Sequence, residues 1–179
     1  SLGVGPSCAG SWVGLEHPTR ASPINPYNKT VIRILESTKK ARLFLLKTDL
    51  WCMKICIAQQ NYHIGNFTLN RDKIIQAVED GRKAGADLIV FSELSVCGYP
   101  PRDFLEFEDF MQQTEKTIQE IAQHSHGIGI IVGAPTPNPQ PEGKNLLNSA
   151  LLLYNGNIQG IVSKSLLPNY DVFDEVRQF

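Results

Sequence analysis

From Met53 onward, short apolar runs and amphipathic stretches follow one another at regular spacing. Lys54 to Gln59 carries Ile55, Ile57 and Ala58 and predicts a short strand. Ile74, Ile75, Val78 and Ala84 recur at a helical period, which predicts a helix capped at Thr68 or Asn70 and closed by Gly85. Asp87 to Phe91 is nearly all apolar, as expected of a strand covered on both faces. A second helix is expected from about Asp109 to His124, burying Met111, Thr114, Ile118, Ile121 and Ala122. Gly127 to Gly133 reads as a third buried strand, followed by a proline-rich loop from Pro135 to Gly143. Leu147 to Tyr154 and Ile158 to Lys164 flank Asn155-Gly156, a strong two-residue hairpin signal. The order β-α-β-α-β-β-β predicts an α/β fold, a mixed sheet with helices on one face.

Residues 1–52 differ in character. Up to Lys29 they are rich in Gly, Ser and Pro without apolar periodicity, which predicts loop or disorder. Thr30 to Leu46 is expected to form a short amphipathic helix through Val31, Ile34, Leu35 and Leu45. The chain therefore divides into an extension over 1–52, disordered or non-native, and a regular domain over 53–179. The start Ser1-Leu2-Gly3 lacks the basic and then apolar pattern of a secretory signal. Without one, the glycosylation patterns at Asn28-Lys29-Thr30 and Asn66-Phe67-Thr68 are chance matches.

The formal net charge of −1 gives no electrostatic reason to expect nucleic acid or an anionic membrane as partner. No run approaches the roughly 18 apolar residues of a membrane span. Cys8, Cys52, Cys56 and Cys97 show neither a disulfide framework nor zinc spacing, so a reducing, cytoplasmic setting is expected. His124 and His126 fall at the expected end of a helix and read as a polar terminus rather than a metal site.

Two charged residues stand at strand ends, where substrates sit in layered α/β folds. Glu93 follows the run Asp87-Leu88-Ile89-Val90-Phe91 after one serine. A carboxylate there is expected to be poorly solvated, which suits proton transfer; a strand-end glutamate turning to solvent is the plain alternative. Lys164 ends its own run in the same way and could hold a developing oxyanion, or snorkel as a surface lysine. Glu175, eleven residues on, could pair with it. Cys97 beside Gly98 is a tempting nucleophile, but nothing near it in sequence would activate the thiol, and a small buried residue is the better reading.

Taken together, Lys54-Ile55-Cys56-Ile57-Ala58-Gln59, Gly65-Asn66 and Gly85-Ala86-Asp87-Leu88-Ile89-Val90-Phe91-Ser92-Glu93-Leu94 resemble the opening of the nitrilase (carbon-nitrogen hydrolase) superfamily. Gly98-Tyr99-Pro100-Pro101-Arg102-Asp103 and the run from Lys164 to Glu175 are similar to the glutaminase domains of its NAD synthetase branch. The resemblance covers 53–179. It implies the N-terminal half of an αββα sandwich and a Glu-Lys-Cys triad that hydrolyses glutamine. Glu93 would be the general base, Lys164 the lysine that stabilises the tetrahedral intermediate, and Glu175 an accessory glutamate. Tyr99 and Tyr170 would line the glutamine pocket. No cofactor is implied in this domain; ATP and Mg belong to a synthetase domain, and the parent is expected to be a homo-oligomer.

The family's nucleophile lies beyond its lysine, whereas all four cysteines here precede Lys164 and the sequence stops at Phe179. The nucleophilic cysteine is therefore expected to be absent, and the chain to be an inactive fragment. Another amidase branch, or a non-catalytic binding protein keeping half the fold, are the alternatives. The run Pro168-Asn169-Tyr170-Asp171 argues against the first, and intact Glu93 and Lys164 against the second.

Overall fold

The computed structural model describes residues 31–37, 41–47, 53–171 and 173–179. They form one mixed sheet in sequential order, β1 (Val31–Ser37), β2 (Ala41–Lys47), β3 (Lys54–Gln59), β4 (Leu88–Val90), β5 (Gly129–Pro137), β6 (Leu146–Tyr154) and β7 (Asn157–Ser163). β3, β4 and β5 run parallel; every other neighbouring pair is antiparallel. Helices α1 (Phe67–Lys83) and α2 (Glu108–Ala122) are the crossovers between the parallel strands, and α3 (Glu175–Gln178) ends the chain. The expected order from Met53 to Ser163 is the observed one, and the short α3 was not expected. Among the described residues, no helix is long and apolar enough to cross a membrane.

Alternation along the strands decides which face is covered. Cys56, Ala58, Ile89, Ile130, Val132, Leu151 and Leu153 form one buried cluster with Ile74, Ala77 and Val78 of α1 and Ile118, Ile121 and Ala122 of α2. Both helices thus lie on one face. On the other face Ile57 and Leu152 are partly exposed, and Val162 is 74% exposed.

Four expectations are corrected. The helix expected over Thr30–Leu46 is instead the hairpin β1–β2, in register from Val31 opposite Lys47 to Ser37 opposite Ala41. The open edge of β3 supplies β2 with backbone partners, and that pairing overrides a weak helical period. Residues 1–30, with the Asn28 pattern, Cys8 and Cys52, lie outside the described residues.

Second, α1 is capped by Asn66, whose side chain accepts from Leu69 N, rather than by Thr68 or Asn70. Asn70 is fully buried and braces two loops: it accepts from His63 N and donates to the carbonyls of His63 and Val96. Third, the segment expected to be a loop from Pro135 belongs to β5 as far as Pro137. Along β5 the odd residues turn their backbone groups away from β6, as Gly133 O accepting from Val96 N shows. Pro135 and Pro137 share that parity, so their missing N–H groups interrupt no ladder bond. Fourth, the strand expected over Asp87–Phe91 is only Leu88–Val90, although Phe91 N still bonds Ile131 O.

Candidate active site

β4 delivers Glu93 just past the sheet, onto a tight turn. Leu94 adopts a positive φ of 48°, and Val96 N bonds Gly133 O, so the turn lies directly on β5. Gly133 makes this approach possible. A Cβ there would stand 2.9 Å from Glu93 Cα and closer still to Leu94 N, so any side chain would push the glutamate away. Lys164 follows the last residue of β7 and is bound to β6 through its own N–H, which donates to Asn148 O at 2.8 Å.

The strand ends bring the charged groups together. Lys164 Nζ donates to Glu93 Oε1 at 2.9 Å and to Glu175 Oε2 at 2.8 Å. Tyr99 Oη donates to Glu175 Oε1 at 3.0 Å, and Asn148 Nδ2 donates to Glu93 Oε1 at 2.5 Å. Glu175 is 6% exposed, at the start of α3. Partial burial draws the Lys164 proton affinity down, and its hydrogen bonds to Glu175 and Glu93, with their charges, more than reverse it. The net shift is upward from the ordinary lysine value, so the ammonium is secure. Burial, then the bond to Glu175, lifts the Tyr99 phenol to about 12. Two of the three ammonium donors of Lys164 are used, and the third has no partner among the described residues.

Glu93 departs from expectation in one respect. Its side chain is 42% exposed, because it lies on the sheet face that no helix covers, not inside the apolar layer. It opens onto a groove of about 380 Å³ shared with Phe91, Asn148 and Lys164. Tyr99 and Glu175 line a neighbouring cavity of about 600 Å³ with Arg177 and Tyr170. Tyr170 is 68% exposed and touches the cluster only indirectly, through Phe173, whose ring centroid is 5.5 Å from its own and 6.4 Å from that of Tyr99.

Cys97 is fully buried with Leu94, Leu105, Phe110 and Phe179, and burial pushes its thiol up to about 12. Cys56, packed under α1, is raised to about 12 by burial and then by the charge of Asp80. Neither is available as a thiolate. His124 and His126 follow the end of α2, where their carbonyls accept from Arg82. Sequence reasoning missed Asn148. No sequence signal singles it out: Ser149 beside it is polar as well, and its partner Glu93 lies 55 residues away.

The family model for carbon-nitrogen hydrolase matches residues 54–178. The chain belongs to the carbon-nitrogen hydrolase family. Over 129 residues this family member is 43% identical to a glutamine-dependent NAD(+) synthetase of Synechocystis sp., covering 70% of this chain and 23% of the relative. It is 38% identical over 128 residues to the namesake of Xylella fastidiosa, covering 71% of this chain and 23% of the relative. The chain thus spans about a quarter of the length of these relatives.

Among solved structures, the glutamine-dependent NAD+ synthetase of Acinetobacter baumannii superposes with a TM-score of 0.65 at 35% identity, covering 71% of this chain and 23% of that one. An amidase from Nesterenkonia sp. superposes at 0.55 and 22% identity over 66% of this chain and 44% of that one, a likeness of fold alone. The hydrolase fold here is the nitrilase type, one mixed sheet and its helix layer from the αββα sandwich.

Proposed function

We propose that this chain is the amide-hydrolysing part of a longer glutamine-dependent NAD synthetase, and that it serves to release ammonia from glutamine. The observation that carries this reading is one ammonium, Lys164, held within 2.9 Å of two carboxylates from separate elements. In this reading Glu93 takes the proton of a cysteine thiol, and the sulfur attacks the amide carbon, forming a C–S bond. The free N–H of Lys164 meets the oxyanion that develops. Collapse breaks the C–N bond, Glu93 returns the proton to the leaving nitrogen, ammonia departs, and water hydrolyses the thioester. Glu175, braced by Tyr99, keeps Lys164 charged and aimed. Tyr99 and Tyr170 form one wall of the glutamine pocket.

In this reading the nucleophile belongs to the part of the parent beyond Phe179; of the cysteines among the described residues, Cys56 and Cys97 are buried and their thiols hold their protons. The relatives' greater length supports this. The hydrolysis itself asks for no cofactor. ATP and Mg serve the synthetase domain of the parent, where ammonia amidates the adenylated nicotinic acid dinucleotide. That parent is a cytoplasmic homo-oligomer in this reading.

Purified as 179 residues, the chain is expected to release no ammonia from glutamine above background. Joined to its continuation it gains that activity, and Cys97→Ser leaves the rate unchanged. Ammonia release by the 179-residue chain alone, abolished by Cys97→Ser, would overturn the reading.

A further inference from the structure

Only one oxygen of Glu93 is engaged. Oε1 accepts both Asn148 Nδ2 and Lys164 Nζ, while Oε2 has no hydrogen-bond partner among the described residues. Asn148 is 4% exposed, on β6 opposite Pro135. Its backbone faces β7, where its carbonyl accepts from Lys164 N. Its side chain stands on the uncovered sheet face beside the turn that carries Glu93. One residue therefore touches both partners of the ion pair, the base through its amide and the lysine through its main chain.

We propose that Asn148 is a positioning residue, fixing Glu93 and Lys164 against each other and reserving Glu93 Oε2 for the transferred proton. What that proton does rests on the amide-hydrolysis reading above; the holding itself does not.

A buried asparagine is commonly a structural brace, and this chain offers such a brace for contrast. Asn70, equally buried, directs all of its side-chain bonds to backbone groups of two loops. Asn148 directs its N–H to a carboxylate that is 42% exposed, a charged side chain rather than a backbone group. An amide N–H to a carboxylate is charge-assisted, short and directional. Lys164 alone could not do this work, because an ammonium on a flexible stem donates to either carboxylate oxygen from a wide range of angles. With Asn148 in place, Oε1 is committed and the rotation of the carboxylate is fixed. The base is then presented in one orientation, and no reorganisation is needed when the proton moves.

The test uses Asn148→Asp, which keeps shape and volume but replaces the donor with a like charge, and Asn148→Leu, which removes the polar group. In the enzyme that carries this chain, both are expected to lower kcat for ammonia release about a hundredfold while KM stays within about twofold. In a Glu93→Gln background neither causes a further loss, since each acts through Glu93. A residue that merely fills space would tolerate Leu, so near-normal kcat in Asn148→Leu overturns the inference. So do losses that add to that of Glu93→Gln.

Glu93→Gln itself is the control for the functional reading: if it leaves ammonia release intact, that reading falls while the holding can still be judged. Carbon NMR of the side-chain carboxyls in the 179-residue chain then decides. The Glu93 resonance, assigned through Glu93→Gln, moves in Asn148→Leu if Asn148 holds it, and an unmoved resonance overturns the inference.

Discussion

Lys164 sits between two carboxylates of very different solvation. Glu175 is 7% exposed in its side chain and Glu93 is 42% exposed. Removing the lysine therefore strands a buried charge on one side and frees a wet one on the other. Lys164→Met is expected to destabilise the fold by about 1–3 kcal/mol, because among the described residues the Glu175 side chain is left with only the Tyr99 hydroxyl. Glu93→Gln is expected to change stability by no more than about 0.5 kcal/mol, since the exposed side chain keeps an oxygen that can accept from Asn148 and Lys164 and an amide that water can reach. Urea unfolding of the two variants checks the difference; equal losses would mean that burial is not what separates the two glutamates. Glu93 and Lys164 were legible in the sequence because each interrupts the end of an apolar run. Asn148 was not, because its partner lies 55 residues away and only the pairing of β6 with its neighbours reveals the contact. Gly133 escaped for the same reason: its lack of a side chain matters only to the turn folded onto it.

The elements follow local chemistry wherever neighbours agree with it. The Asn155-Gly156 turn has φ values of 50° and 80° and joins β6 to β7 where the sequence placed it. The apolar stripe of α2 was legible in Thr114, Ile118, Ile121 and Ala122; Met111 proved only partly buried, and Phe110 and Thr117 join the buried side. Element ends were harder to read, because caps are chosen by the fold. Asn66, not Thr68 or Asn70, binds the first turn of α1, since Asn70 is drawn inward to the loops at His63 and Val96. Asn66→Ala is thus expected to cost about 1 kcal/mol, read as a lower thermal midpoint, whereas Thr68→Ala leaves the midpoint in place. The reverse order would place the cap where the sequence alone suggested it. β1 and β2 illustrate the limit more sharply: their apolar residues fit a weak helical period, and only pairing with the edge of β3 makes them strands.

Across the whole molecule, several groups hold their protons more tightly when folded. The thiols of Cys56 and Cys97 rise from 9.0 to about 12 and the Tyr99 phenol from 10.0 to about 12, chiefly through burial; Lys164 lies above 10.5 through its carboxylates, against the opposing pull of burial. Between pH 9 and pH 12 the unfolded chain loses protons that the folded chain keeps. Their stabilising contribution is therefore complete below pH 9 and declines as pH rises through that window. Denaturant midpoints measured across the alkaline range are expected to fall steadily, and a flat profile would contradict these assignments. The fold class, the mixed sheet and the one-sided helix layer were legible because β and α periods alternate so regularly from Met53. That pattern leaves the other face without helices, but how far Ile57, Leu152 and Val162 are exposed there depends on what packs against them.

The central claim is that Glu93, held beside Lys164, moves the proton in amide hydrolysis. The most direct measurement is the steady-state rate of ammonia release from glutamine by the enzyme that carries this chain, with glutamate or glutamine at position 93. A fall of about 10²–10⁴-fold in kcat for Glu93→Gln, in a protein that unfolds at the same urea concentration, is the predicted result. An unchanged kcat in that folded variant would contradict it.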